Sequence, residues 1–277
     1  MRVKDWQRVE FIQNALKEDI GRGDLFSRIL DSKRIEAYIL AKSSGVFGGR
    51  EYIEAFKSLF DIELEWKVED GEEFIFGDTL LILRGDSQDL LSLERTILDI
   101  ALHASGIATM TKIYVKKIEP YGVKLLDTRK TRPALREFEK YAVRCGGGLN
   151  HRMGLDDALM LKDTHLKTIN NLKSFIKEIR SKIPFTTKIE IECEDLEMVK
   201  EAFEAGVDIV MCDNMPLDKI REVVALRNSY YPHILLEASG NITLDTIEEV
   251  AKTGIDAISS GSIIHQATWI DLSMKVK

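Results

Sequence analysis

The chain has 277 residues, 44% of them hydrophobic, and a formal net charge of -7. That length suffices for one large α/β barrel or a barrel with a smaller companion domain, with an ample core in either case. The acidic balance excludes a broad nucleic-acid or membrane-surface binder, because those partners need net positive charge over a wide face, so any basic site has to be local.

Apolar positions at helical spacing over residues 6 to 17 predict a helix, closed by the turn cluster Gly21-Arg22-Gly23-Asp24. This segment alternates charge with apolar side chains and lacks the continuous core of a signal peptide. No run reaches the ~18 apolar residues of a membrane span. Cys145, Cys193 and Cys212 are widely spaced and match neither a zinc pattern nor a disulfide framework. They read as reduced thiols of a cytoplasmic protein.

From 34 to 86 the texture changes to short strand-like runs, RIEAYILAK, IELEWKV and DTLLILRG, separated by Gly- and acid-rich turns. This predicts a small, mostly antiparallel sheet with one helix near 50 to 59. A long helix follows from Ser87, its N-cap, towards Ser105. Leu93, Ile97, Ile100, Ala101 and Ala104 form one apolar stripe, while Leu91, Leu98 and Leu102 form a second that shares its face with Arg95. Two apolar faces call for two partners, so the second is expected to meet another subunit, with Arg95 projecting into that interface.

From about residue 106 the rhythm is strand then helix, with candidate strands at 123–127, 157–162, 187–193, 208–213, 233–239 and 256–261. EAGVDIVMCD and AKTGIDAISS repeat one unit, a helix, a Gly past its end, and a short buried strand. The strands end in Asp127, Lys162, Glu192, Asp213, Glu237 with Ser239, and Ser260. In a parallel barrel such ends meet on one face, where the chemistry is placed; an open doubly wound sheet would share that rule.

The segment Lys124 to Arg152 carries eight Lys/Arg against three acids. Arg129 and Lys130 directly follow the strand ending at Asp127, and His151, Arg152 and Lys162 lie on the next loop and strand end. Like charges about 4 Å apart repel by about 4 kcal/mol at an effective dielectric near 20, so such a cluster needs a counter-anion. Carboxylates or phosphates fit it, with Arg forks giving bidentate contacts and Lys a compact charge. The Gly146-Gly147-Gly148 run adds flexible backbone beside these donors. Glu190 and Glu192 share one side of their strand with Lys188, costly in a barrel interior unless paired and unremarkable at an exposed edge. With Asp213 on the next strand end, Glu192 could hold Mg2+, bind sugar hydroxyls or stabilise a developing cation. Ser239-Gly240-Asn241 and Ser260-Gly261-Ser262 follow the last two strands, where Gly-containing loops bind phosphate through backbone amides.

At these residues the chain resembles the quinolinate phosphoribosyltransferases. The resemblance rests on ERT and SGIAT (94–96 and 105–109), DTRKTRP (127–133), EKYAVRCGGGLNHRMGL (139–155), LKDTH (161–165), the IEIE strand, CDNM (212–215), EASGNI (237–242) and SSGS before DLSMK. It implies an N-terminal α/β sandwich, residues 1–105 joined by 266–277, and an incomplete α/β barrel over 106–265, of the type II phosphoribosyltransferase kind. It implies the conversion of quinolinate and phosphoribosyl pyrophosphate to nicotinate mononucleotide, CO2 and pyrophosphate with Mg2+. It further implies a dimer, or a higher assembly, in which Arg95 enters the partner's site. Arg129, Lys130, His151, Arg152 and Lys162 match the groups that bind the dicarboxylate and the sugar phosphate, with Lys130, Glu192 and Asp213 catalytic. Glu192 and Asp213 flank the ribose and hold Mg2+, directly or only through substrate. Ser239, Gly240, Asn241, Gly261 and Ser262 match phosphate contacts. Thr164, Ala134 and Arg132 depart from the family wording without removing a catalytic group. The rival readings are a molybdenum-utilisation relative with another substrate, a Schiff-base lyase using Lys130 or Lys162, and an RNA-binding module, which would need exposed aromatics interleaved with the basic stretch.

Overall fold

The computed structural model describes residues 3–29 and 31–277. In chain order the elements begin with α1 (Val3–Ile20), β1 (Arg34–Ala41), β2 (Gly45–Val46), α2 (Arg50–Glu54), β3 (Glu63–Trp66), β4 (Glu73–Phe74), β5 (Thr79–Asp86) and α3 (Ser87–Ile118). Then come β6 (Lys124–Leu126), α4 (Arg136–Cys145), β7 (Leu159–Leu161), α5 (Asp163–Leu166), α6 (Leu172–Ile179), β8 (Ile189–Cys193) and α7 (Leu196–Ala205). The last are β9 (Ile209–Asp213), α8 (Leu217–Tyr230), β10 (Leu235–Ser239), α9 (Ile247–Ala251), β11 (Ala257–Ser259), α10 (Ser262–His265) and β12 (Leu272–Val276).

Two compact units result, the first made of Met1–Met110, Arg144–Gly147 and Ala267–Lys277, the second of Thr111–Val143 and Gly148–Gln266. The first holds an antiparallel sheet in the order β12-β1-β5-β3. Burial alternates along β1, with Ala37, Ile39 and Ala41 in the core, as a sheet with one covered face requires. The chain's last strand completes this sheet, Leu272 opposite Ala41 and Val276 opposite Ala37.

The long helix outruns its expected end near Ser105 and continues to Ile118. Gly106 interrupts the propensity but not the helix, whose core stripe Leu93, Ile97, Ile100, Ala101 and Ala104 is fully buried. The second stripe differs from expectation. Leu98 and Leu102 are already buried within the chain, so only Leu91 and Arg95 keep that face partly open.

In the second unit all six candidate strands form one parallel sheet, ordered β6-β11-β10-β9-β8-β7. It is an incomplete α/β barrel, with β6 and β7 as its edge strands. The repeated unit is present twice: Gly206 and Gly254 both take the left-handed conformation past a helix and lead into the buried Val207 and Ile255. Period-two alternation sorts the strands' side chains. Ile191, Val210, Leu236 and Ile258 are buried on the face the helices cover, while Glu190, Glu192, Met211, Asp213, Glu237 and Ser239 take the other.

Candidate active site

The inner face of the second unit opens into a cleft of about 350 Å³ lined by Thr128, Arg129, Lys130, His151, Arg152, Met160, Lys162, Glu192, Met211, Asp213, Asn214, Ser239, Gly240, Asn241 and Ser259. Most of these residues come from the carboxyl ends of the parallel strands and the loops after them, the face on which such sheets carry their sites, while His151 and Arg152 lie on the loop from α4 to β7, just past the single parallel bridge of Leu149 to Leu126. The five cations read from the sequence and the acids Glu192 and Asp213 thus meet in one place.

Asp127, at the end of β6, fixes the first two loops. It is fully buried and accepts from the equally buried Lys140 ammonium, from Asn150 Nδ2 at 2.6 Å and from the His151 backbone N–H at 2.9 Å. Lys140 also donates to the His151 carbonyl at 2.7 Å. Burial raises the Asp127 carboxyl and lowers the Lys140 ammonium, while their ion pair opposes both shifts. This hub ties the Arg129-Lys130 loop to the loop carrying His151 and Arg152.

The cations are crowded. Burial, followed by the neighbouring Arg129 charge, holds Arg152 below the usual guanidinium range. Arg152 donates to the Ala158 carbonyl at 2.8 Å, a neutral partner. Arg129 and Lys130 are exposed, and neither side chain has an ion-pair partner among the described residues. Lys162 alone of the two cleft lysines is neutralised, by Glu192. Positive charge without a protein counter-charge, at the mouth of a cleft, is a site for a polyanion.

His151 is committed more deeply than its sequence suggests. Its Nε2 lies 3.2 Å from Glu190 Oε2 and 3.3 Å from Glu237 Oε2, both carboxyls almost wholly buried. Its Nδ1 accepts the Arg152 backbone N–H at 2.7 Å. Burial opposes a charged ring, but the two glutamates outweigh it and push His151 up to about 10. Burial, with Glu237 adding to it, raises Glu190. These groups titrate together, and the lone pair required at Nδ1 puts the retained proton on the Nε2 side, among the carboxyls. The three ligand atoms lie within 4.8 Å of one another, close enough for a divalent metal. A metal would need the Nε2 lone pair, which the bond accepted at Nδ1 assigns to a proton, so the cluster reads as a proton held among charges and not as a metal centre.

On the other side of the cleft a chain of amides organises the loops. Asn241 Nδ2 donates to Asn214 Oδ1 at 2.8 Å, and Asn214 Nδ2 donates to Asp213 Oδ2 at 2.9 Å. Asn214 and Asn241 both have positive φ, 52° and 49°, which asparagine tolerates better than other side chains. Gly240, φ 91°, lies so close that a Cβ would stand 2.3 Å from Asn214 Oδ1. Ser259 Oγ donates to Ser239 Oγ at 3.1 Å.

Not every expected residue lines this cleft. Arg95 lies on α3 in the first unit, exposed and 3.4 Å from Asp99. Gly261 sits behind Lys130, where a Cβ would come within 3.1 Å of Lys130 Cδ. The Ser262 hydroxyl donates to the Ile242 carbonyl at 3.3 Å. Nor does the Gly146-Gly147-Gly148 run reach the cleft: Gly147 and Gly148 donate back to Arg144 and Val143 and close α4. A Cβ at Gly148 would meet Val143 Cγ1 at 2.7 Å, so close packing explains that glycine. Conversely, Thr128, Met160, Met211, Asn214 and Ser259 line the cleft without having been singled out. Two-residue alternation back from Lys162 and Asp213 points to Met160 and Met211.

The family model for the quinolinate phosphoribosyl transferase C-terminal domain matches residues 107–275, and that for the N-terminal domain matches 24–105. The chain belongs to the quinolinate phosphoribosyltransferase family. A probable nicotinate-nucleotide pyrophosphorylase [carboxylating] of Synechocystis is 40% identical over 96% of this chain and 91% of its own length. A protein of the same name in Bacillus subtilis is 39% identical over 98% of the chain and 93% of its own. Among solved structures, NadC from Streptococcus pyogenes has a TM-score of 0.93 at 38% identity, covering 100% of this chain and 99% of that one. The family's two-domain architecture is therefore that of this chain.

Proposed function

We infer that the chain transfers the phosphoribosyl group of phosphoribosyl pyrophosphate to the ring nitrogen of quinolinate, with decarboxylation. The products are nicotinate mononucleotide, CO2 and pyrophosphate. The observation that carries this reading is the cleft in which Arg129, Lys130 and Arg152 gather without a full complement of protein acids, opposite Glu192 and Asp213. Quinolinate is a dianion and the sugar pyrophosphate carries further charges, so the two substrates together supply the missing negative charge. A molybdenum-utilisation relative would share the fold, but relatives matched over nearly the full chain carry the carboxylating pyrophosphorylase name.

In this reading Arg129, Arg152 and Lys162 grip carboxylate and phosphate oxygens, and Lys130 stands by the departing pyrophosphate. Glu192 and Asp213 flank the ribose, where positive charge develops as the bond to pyrophosphate breaks, and preorganised carboxylates stabilise that charge. Ser239, Gly240 and Asn241 face the 5-phosphate, and the Gly261-Ser262 turn, which does not line the cleft, backs Lys130 from behind. Once the ring nitrogen is quaternised, the bond between the ring and the adjacent carboxylate breaks, CO2 leaves, the electron pair stays on that ring carbon beside the cationic nitrogen, and the carbon takes up a proton from solvent. The chain then contributes positioning and electrostatics, with no covalent intermediate.

Glu192 and Asp213 are hard oxygen donors at the cleft wall, which suits Mg2+ held by one or two carboxylates together with substrate phosphates. Bound there, Mg2+ would neutralise charge on the pyrophosphate. The assembly we propose is a homodimer, or a multiple of it, in which Arg95 completes the partner's site. We place the protein in the cytoplasm, consistent with three unbridged cysteines. Among the described residues no helix is long and apolar enough to cross a membrane.

The test is formation of nicotinate mononucleotide from quinolinate, phosphoribosyl pyrophosphate and Mg2+, with nicotinate assayed in parallel. Turnover of quinolinate alone is expected. Turnover of neither acid overturns the reading. Mixing the inactive Arg95→Ala and Lys130→Ala chains should restore activity, since a mixed dimer keeps one complete site; no restoration contradicts the shared site.

A further inference from the structure

Beneath the cleft floor, two carboxyls that none of the roles above uses converge on one imidazole. Glu190, from β8, and Glu237, from β10, are 1% and 2% exposed, yet among the described residues neither oxygen of Glu190 nor Oε1 of Glu237 finds a hydrogen-bond donor in bonding geometry. Leaving buried carboxyl oxygens unsatisfied is costly, and His151 Nε2 lies close to both groups, 3.2 Å from Glu190 Oε2 and 3.3 Å from Glu237 Oε2. The opposite ring nitrogen accepts the Arg152 main-chain N–H at 2.7 Å. Both ring nitrogens are thereby engaged by the protein, although the ring lines the cleft. The backbone of His151 is held independently, its N–H by Asp127 and its carbonyl by Lys140.

We propose that Glu190 and Glu237 are positioning residues for the acid-binding end of the cleft. Through Nε2 they set the His151 ring, and through Nδ1 the ring sets the Arg152 main chain and hence the direction in which the guanidinium enters the cleft. His151 on this account is a strut between two strands and a loop, and Arg152 is the group that meets the substrate. Glutamate suits the task because its carboxyl reaches the ring from the floor of the sheet, where main-chain groups are consumed by strand pairing. The proposal rests on the reading that this cleft binds quinolinate.

Two measurements test it. The chain has five histidines, so selective 15N-histidine labelling, with His151→Gln to assign the signal, reports the His151 tautomer directly in the wild-type protein. The expected signature is a proton on Nε2 and none on Nδ1; a protonated Nδ1 overturns the proposal. In steady-state kinetics, Glu237→Ala and Glu190→Ala should raise KM for quinolinate by about tenfold or more, the scale on which misplacing a binding group acts, with a smaller change in KM for phosphoribosyl pyrophosphate. Glu237→Gln, which keeps an acceptor towards Nε2, should recover part of that loss. Alanine variants that lose thermal stability while KM for quinolinate stays at the wild-type value show a merely structural pair and overturn it. If the wild-type protein does not turn over quinolinate at all, the functional reading fails, and the tautomer measurement still decides whether the ring is held as described.

Discussion

Lys162, at the end of β7, is ion-paired with Glu192, at the end of the neighbouring β8. The pair restrains the carboxylate at the cleft wall, and Lys162 remains 43% exposed, so its ammonium is still open to a ligand. A Glu192→Gln change keeps shape and removes the charge that faces the ribose. It should lower kcat by about 100-fold, the scale of a lost preorganised electrostatic contact, with KM for quinolinate much less affected. Steady-state kinetics check this; a pure KM effect would assign Glu192 to ground-state binding instead.

Gly240→Ala should damage the sugar-phosphate end. The left-handed φ of 91° strains any side chain, and the new Cβ would stand 2.3 Å from Asn214 Oδ1, displacing the amide chain that reaches Asp213. The expected result is a KM for phosphoribosyl pyrophosphate raised at least about tenfold. Unaltered KM values would show that this loop does not touch that substrate.

Lys140→Ala should weaken the barrel strongly, whatever it does to catalysis. It strands the fully buried Asp127 without its cation, which costs roughly 3 to 5 kcal/mol when one member of a buried pair is removed. Urea denaturation measures it; a loss under about 1 kcal/mol would mean that the hub does not carry the two loops.

The linear sequence made much of this fold legible, for identifiable reasons. Strands of a parallel sheet are short apolar runs between glycines and helices, and all six stood out. The ends carrying Lys162, Glu192 and Asp213 were visible because charge at a strand end is conspicuous. Other features depended on three-dimensional proximity. Asp127 looked like one more strand-end acid, whereas burial beside Lys140 makes it a hub. The Gly146-Gly147-Gly148 run read as ligand-binding backbone, but the tight approach of Gly148 to Val143 is a packing fact that no spacing encodes. Leu98 and Leu102 looked like a subunit face because a one-dimensional stripe does not say what covers it. His151 read as a substrate-binding group, and it does line the cleft; that Glu190 and Glu237 also reach its Nε2 was hidden, since nothing in sequence brings those two strands to one ring.

Ala134, one of the departures from the family wording, sits in a backbone conformation that favours glycine, and nothing in the structure explains the alanine. Its φ is 65°, a region where glycine is at ease and alanine is strained by about 1 to 2 kcal/mol. Ala134→Gly relieves that strain and returns part of it as unfolded-state entropy, for a net gain of roughly 0.5 kcal/mol. Thermal unfolding reads the sign; a lower Tm would contradict the strain.

The His151 cluster sets a pH window. The cluster of His151, Glu190 and Glu237 keeps its shared proton, with Nδ1 left bare, up to about 10 against an ordinary imidazole value of 6.5, so the stabilisation that proton gives is complete below pH about 6.5 and is lost as pH rises through about 10. The Tm advantage of the chain over His151→Gln should therefore shrink steadily across that interval. An advantage that grows with pH would contradict the direction of the shift.

The most direct test of the account is stoichiometric. Quinolinate labelled with 13C in the carboxylate next to the ring nitrogen is incubated with phosphoribosyl pyrophosphate, Mg2+ and the protein, and labelled CO2 and pyrophosphate are counted together. The account predicts that they appear in equal amounts, together with nicotinate mononucleotide. Pyrophosphate released without labelled CO2, or no release of either, would contradict it.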